Sequence, residues 1–167
     1  MPDPFHQLLN QINGAATSGL HLVAIGMASA LPDICASLAS EDGRTNAKRY
    51  KAWCEANLSG SEFAFLTPED MYSIRGGVLH QGRFGDLKHN VARVIFTLPG
   101  PMSFTNCMMN DAYVYGVVEF CRNLSAAAEV WFEANRNDPI VEANLTRVMR
   151  YHPEGLSPYM AGVAVIA

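Results

Sequence analysis

Two side chains of this protein can move a proton or hold a phosphate without a metal, and they lie five positions apart: Arg75 and His80. A guanidinium offers a planar fork of donors that matches a phosphate. An imidazole exchanges protons near neutral pH. On a helix, residues five apart are separated by about 140°, so the two would share a groove rather than one narrow stripe. The spacing alone does not single them out. Arg147-x4-His152 repeats it and Arg83-x5-His89 nearly does. Pro153 ends the helix directly after His152, which makes that second copy structural.

Context selects the first copy. Thr67 is suited to cap a helix, Pro68 to open it, and Glu69 and Asp70 to sit at its positive end. Met71, Ile74, Val78 and Leu79 recur at helical spacing and give the segment an apolar face. The expected helix spans Pro68–Gln81 and stops at Gly82. Inside it stands Gly76-Gly77, where each glycine costs about 1 kcal/mol relative to alanine. Such a pair favours close approach of another backbone.

The stretch Ile74-Arg75-Gly76-Gly77-Val78-Leu79-His80-Gln81-Gly82 resembles the HEPN superfamily, whose members carry an Arg-x4–6-His motif late in a helix. The residue after the arginine, often polar in active members, is here Gly76. Leu31-Pro-Asp-Ile-Cys35, Arg49-Tyr-Lys-Ala-Trp53, Leu66-Thr-Pro-Glu-Asp-Met-Tyr72 and Tyr151-His-Pro-Glu-Gly155 extend the resemblance to a bacterial family of uncharacterised HEPN-like proteins. The resemblance implies a metal-independent endoribonuclease of the toxin or phage-defence type, with two motif copies meeting in a homodimer. Arg75 would then hold the scissile phosphate and His80 would act as general base or acid on the RNA 2′-hydroxyl, leaving a 2′,3′-cyclic phosphate. The alternative is a non-catalytic HEPN-like dimer that binds RNA, a nucleotide or a protein partner. Gly76 and the acidic net charge favour that alternative.

Arg83, Lys88, His89 and Arg93 follow the motif and form either a guide for an RNA backbone or a solvated basic loop. For Arg75 and His80 the structural reading is an ion pair with an acidic residue and a capped helix C-terminus. The two readings separate on one point. An arginine in an apolar helix must find an anion or water, because burying it unpaired costs several kcal/mol. A fixed carboxylate within the protein would satisfy the charge and remove phosphate from its role.

Other chemistries lack their residues. The five histidines are dispersed without paired-ligand spacing, so neither a metal nor a cofactor is expected. No Gly-Lys-Ser/Thr phosphate loop and no Gly-x-Ser-x-Gly elbow occurs. The four cysteines form no CxxC pair and read as reduced, buried thiols of a cytoplasmic protein. The apolar run 20–31 has no basic residue before it and is too short and interrupted to span a bilayer, so it reads as a core helix and no membrane is expected. A net charge of −4 argues against a broadly basic nucleic-acid coat.

The elements that would position Arg75 and His80 read as a mostly α helical bundle within one domain over 1–167. Helices are expected over residues 5–12, 20–39 with a kink or break at Pro32, 45–58, 68–81, about 111–134 and about 138–151. Residues 93–98 and 160–167 read as strands, paired with each other as a minor two-stranded element.

Overall fold

The computed structural model describes residues 3–58, 60–87, 92–102 and 104–167. The first half is helical. Helix α1 (Pro4–Thr17) starts where Asp3 accepts from the His6 N–H and Pro4 fills the first position. It runs through Asn13-Gly14 rather than stopping there, and the chain turns at Gly19, φ 89°. The long apolar run is two helices, α2 (His21–Ser29) and α3 (Leu31–Leu38), broken at Ala30. Pro32 lies in the first turn of α3, where its missing N–H costs no helical bond. Helix α4 (Ala47–Asn57) is capped by Asn46, and α5 (Pro68–Gln81) by Thr67. In α5 the Thr67 side chain accepts from the Asp70 N–H while Asp70 accepts from the Thr67 N–H, a reciprocal capping box.

The second half departs from the helical bundle. It holds strand β1 (Arg93–Thr97), β2 (Cys107–Met109) and β3 (Ala112–Gly116) before helix α6 (Val117–Asn135) begins. The sheet order is β1-β3-β2, with β1 parallel and β2 antiparallel to the central β3. The fold is therefore mixed α and β: seven α-helices and three small sheets among the described residues, not a bundle with one two-stranded element. The physical cause is local. Ala-Tyr-Val-Tyr-Gly is rich in β-formers, and every residue of β3 is buried, so an uninterrupted apolar run mimicked the start of a helix. Asn110, at φ 54°, begins the two-residue connection that returns β2 to β3 instead of capping a helix.

The expected pairing of 93–98 with the C-terminal strand is also replaced. β1 pairs with β3, and the tail pairs with itself through β4 (Tyr151–His152) with β7 (Val165–Ile166) and β5 (Gly155–Leu156) with β6 (Met160–Ala161). Between α6 and the tail lies α7 (Pro139–Leu145), shorter than its periodicity suggested. The Asn144 amide fastens it to the end of α3 by donating to Leu38 O at 3.0 Å and Ser40 O at 2.8 Å.

One hydrophobic cluster joins these parts. Phe120, Leu124, Ala128 and Phe132 recur every fourth residue on α6 and are fully buried. Phe5 of α1 stacks on Phe132 at 4.5 Å, and Phe96 of β1 meets Phe120 edge-on at 4.8 Å. Burying each such side chain is worth about 1.5–3 kcal/mol. That cluster fixes α2 and α3 against α6, while α5 packs on α2 and α4, and together they set the frame on which Arg75 sits.

Candidate functional site

Asp33 is the single charged residue between Asp3 and Glu41. It lies in the first turn of α3, beside the positive end of that helix. Arg75 reaches it from α5: the Nε–H donates to Asp33 Oδ2 at 2.5 Å. The other oxygen, Oδ1, accepts from the Thr45 hydroxyl at 3.0 Å. Only 20% of the arginine side chain and 10% of the aspartate side chain are exposed. Both charges are thus taken largely out of water and compensate each other there.

Two aromatic residues complete the setting. The Arg75 guanidinium carbon lies 5.7 Å from the Tyr72 ring centre, and that ring meets Tyr50 edge-on at 5.2 Å. Tyr50 is buried, and its hydroxyl donates to Ser29 O at 2.9 Å. Burial pushes its hydroxyl well above the usual tyrosine range, with Cys54 and Asp33 adding to the rise. Asp33, Tyr50, Tyr72 and Arg75 therefore link the end of α2, the start of α3, and α4 to α5.

His80 stands exposed at the last turn of α5, its Nε2 3.4 Å from Arg75 Nη1. Arginine has only donors, so this contact is a hydrogen bond only in the neutral tautomer with His80 Nε2 as acceptor and the ring proton on Nδ1. The lone pair that a general base would use is the one facing the guanidinium. The helix end itself is closed by Gly82 in the left-handed region, φ 65°, whose N–H donates to Gly77 O.

The two glycines of α5 differ. A methyl group on Gly77 would run into Gly85 N and Arg83 O, because the loop after α5 folds back onto the helix. The backbone that approaches the pair closely thus comes from this chain. Gly76 has open space where its side chain would be. It borders a shallow cleft of about 360 Å3 with Tyr72, Ser73, Gln81, Gly85 and Asp86 in its walls, and Asp86 is the charged residue there.

Arg83 is spent locally. Its Nη1 and Nη2 donate to Asp86 Oδ1 and Oδ2 at 2.9 and 3.4 Å, and its Nε–H to Gln81 Oε1 at 2.8 Å. Arg93 lies exposed at the start of edge strand β1. Lys88 and His89 fall outside the described residues. The structure thus brings Arg75 and His80 together and turns Arg83 to its own loop. Among the described residues no group of three or more histidine, cysteine or acidic side chains is placed to hold a metal. The thiols of Cys35 and Cys54 are pushed well up by burial, and that of Cys121 to about 12 by the same cause, so none of the three supplies a thiolate nucleophile.

Asp33 is the site residue that motif reasoning gave no role. A signal for it exists in the sequence: Asp33 is a lone carboxylate at the end of an apolar segment, and a carboxylate buried there must find a cation. No family model matches the chain, and no curated protein or solved structure matches it.

Proposed function

We infer that this chain is a non-catalytic HEPN-like domain that acts as a homodimeric binding module for a protein partner. The reading keeps the motif resemblance and leaves aside the all-helical architecture. The observation that carries it is the Asp33–Arg75 ion pair. The guanidinium of Arg75 is neutralised by a carboxylate fixed by Thr45, so its charge serves to join α3 to α5 rather than to hold a phosphate. His80 turns its Nε2 to that same guanidinium at 3.4 Å. The adjoining cleft is bordered by Asp86 and the following Arg83 is paired with it, so the two offer no net positive charge to collect an RNA backbone.

A protein partner fits the surface beside the site. Leu20, Leu22 and Val23 of the α2 region and Leu79 of α5 are exposed. A methyl group on Gly26 would lie 3.5 Å from Val78 Cγ1 and Leu79 Cδ2, so α2 and α5 pack closely there and present these side chains together. Contiguous exposed apolar residues of this kind mark interaction sites.

One observation favours a second reading. Arg75 and His80 meet at 3.4 Å at an exposed helix end, the pairing a metal-independent endoribonuclease would use, with Asp33 then orienting the guanidinium. Incubation of wild type and His80→Ala with mixed RNA, with analysis of product ends, separates the two. The binding reading expects no His80-dependent products. Cleavage that leaves 2′,3′-cyclic phosphates and disappears in His80→Ala would establish the nuclease.

A further inference from the structure

The four short tail strands are halves of one bent hairpin. Arg150 and Ala167 exchange backbone hydrogen bonds at 2.8 and 3.1 Å. Tyr151 and His152 then pair with Ile166 and Val165. The Gly162 N–H donates to Glu154 O at 2.9 Å, Gly155 and Leu156 pair with Ala161 and Met160, and the Tyr159 N–H closes the turn onto Leu156 O. The bend is built on Gly155, at φ 89°, where a side chain would strike Met160 O.

This hairpin stands apart from the core. None of its side chains belongs to the central hydrophobic cluster or to the residues packed on it. Met149, Tyr151, Tyr159, Met160, Val163 and Ile166 are 45–84% exposed. No charged residue follows Glu154. The Tyr151 hydroxyl accepts from Gln11 Nε2 at 3.1 Å, which ties the first arm of the hairpin to α1 and leaves the second arm, with β6 and β7, as the outer edge. Arg150 and Ala167 form a hydrogen-bonded pair, so Ile166, at the next position, turns its N–H and C=O away from the ribbon. A two-stranded ribbon with an open, apolar edge is marginal in water and is a template for another strand.

We propose that the hairpin is the homodimer contact, formed when the β7 edges (Val165–Ile166) of two copies of this chain pair antiparallel about a two-fold axis into one four-stranded sheet. It rests on the dimeric reading above and names its surface. Three features select a second copy as the occupant. Tyr159, Met160, Val163 and Ile166 each leave half or more of their surface exposed, a few hundred Å2 at roughly 150–250 Å2 per aromatic side chain, which with the paired backbone makes a two-fold contact at the small end of specific interfaces. The surface is neutral, so a two-fold contact sets no like charges against each other. And the hairpin beyond Arg150 has neither lysine nor arginine, so it has no attraction for an anionic lipid surface.

Sedimentation equilibrium of the full chain between 1 and 100 μM tests this, with Ile166→Asp, Val163→Asp and Leu22→Asp measured alongside and circular dichroism as the fold check. The expected result is a wild-type dimer, at least a hundredfold weaker association in Ile166→Asp and Val163→Asp with unchanged spectra, and a dimer retained in Leu22→Asp. Should one hairpin variant lose its fold, the other supplies the comparison. A wild-type monomer at 100 μM would overturn both the interface and the dimer. A dimer that survives both hairpin variants but is lost in Leu22→Asp would overturn the interface alone. Flotation of wild type with neutral phosphatidylcholine vesicles, lost in Ile166→Asp, would assign the hairpin to a lipid surface instead and overturn the proposal.

Discussion

The Arg75 Nε–H is bonded at 2.5 Å to the carboxylate of Asp33, a residue forty-two positions earlier on a different helix. Each removes the desolvation problem of the other. Breaking the pair from one side leaves a largely buried charge uncompensated, which costs roughly 3 kcal/mol. In a chain of this size that lowers the melting temperature by on the order of 6–12 °C. Asp33→Asn and Arg75→Met should each show such a loss in urea unfolding, and the double variant should be far less destabilised than the sum. Strictly additive losses would mean that the two side chains are not coupled.

Gly76 and Gly77 are neighbours with opposite expected responses. Gly76→Ala places a methyl in open space on a helix and should raise stability by about 0.5–1 kcal/mol. Gly77→Ala forces the loop at Arg83 and Gly85 off the helix and should lower stability by about 1–3 kcal/mol. Urea midpoints of the two variants decide this. Shifts of the same sign would remove the close packing of that loop on α5.

How much of this was legible in the sequence differs by element. Helix α5 was readable to the residue, because Thr67, Pro68 and Gly82 punctuate it by local chemistry. The first turn of α3 was hidden by its neighbours: Pro32 signalled a break, but the break fell at Ala30. The sheet was concealed because Val114, buried on β3, also fitted the apolar period of the helix that begins three residues later. Short, wholly buried strands carry no alternation to distinguish them. The partner of Arg75 was invisible for another reason. Local pattern says that an arginine in an apolar helix needs an anion, but only the tertiary packing of α3 against α4 and α5 says which carboxylate arrives.

Asp3, the cap of α1, provides a pH test. Partial burial would raise its carboxyl, but the His6 backbone N–H at 3.0 Å and the His6 ring at 2.7 Å outweigh that and hold it below the usual range. A carboxyl lowered in the folded state stabilises fully above its unfolded value of about 3.9, and the contribution is lost as pH falls through the folded value. Asp3→Ala should therefore cost about 1 kcal/mol at pH 7, and the gap to wild type should shrink below roughly pH 4. Urea unfolding at pH 7 and pH 3 measures it. A gap that widens in acid would contradict the assignment of Asp3 as an ionised cap.

The central claim is that the charge of Arg75 is committed to Asp33 and not kept for a phosphate. Arginine Nε–H resonances in nitrogen-15 spectra report on it directly, with the Arg75 signal identified by its absence in Arg75→Lys. The account expects a signal protected from solvent exchange, lost or strongly shifted in Asp33→Asn, and unmoved by inorganic phosphate or a short single-stranded RNA at millimolar concentration. A signal that moves saturably with phosphate or RNA in the wild type, and is indifferent to Asp33→Asn, would contradict it.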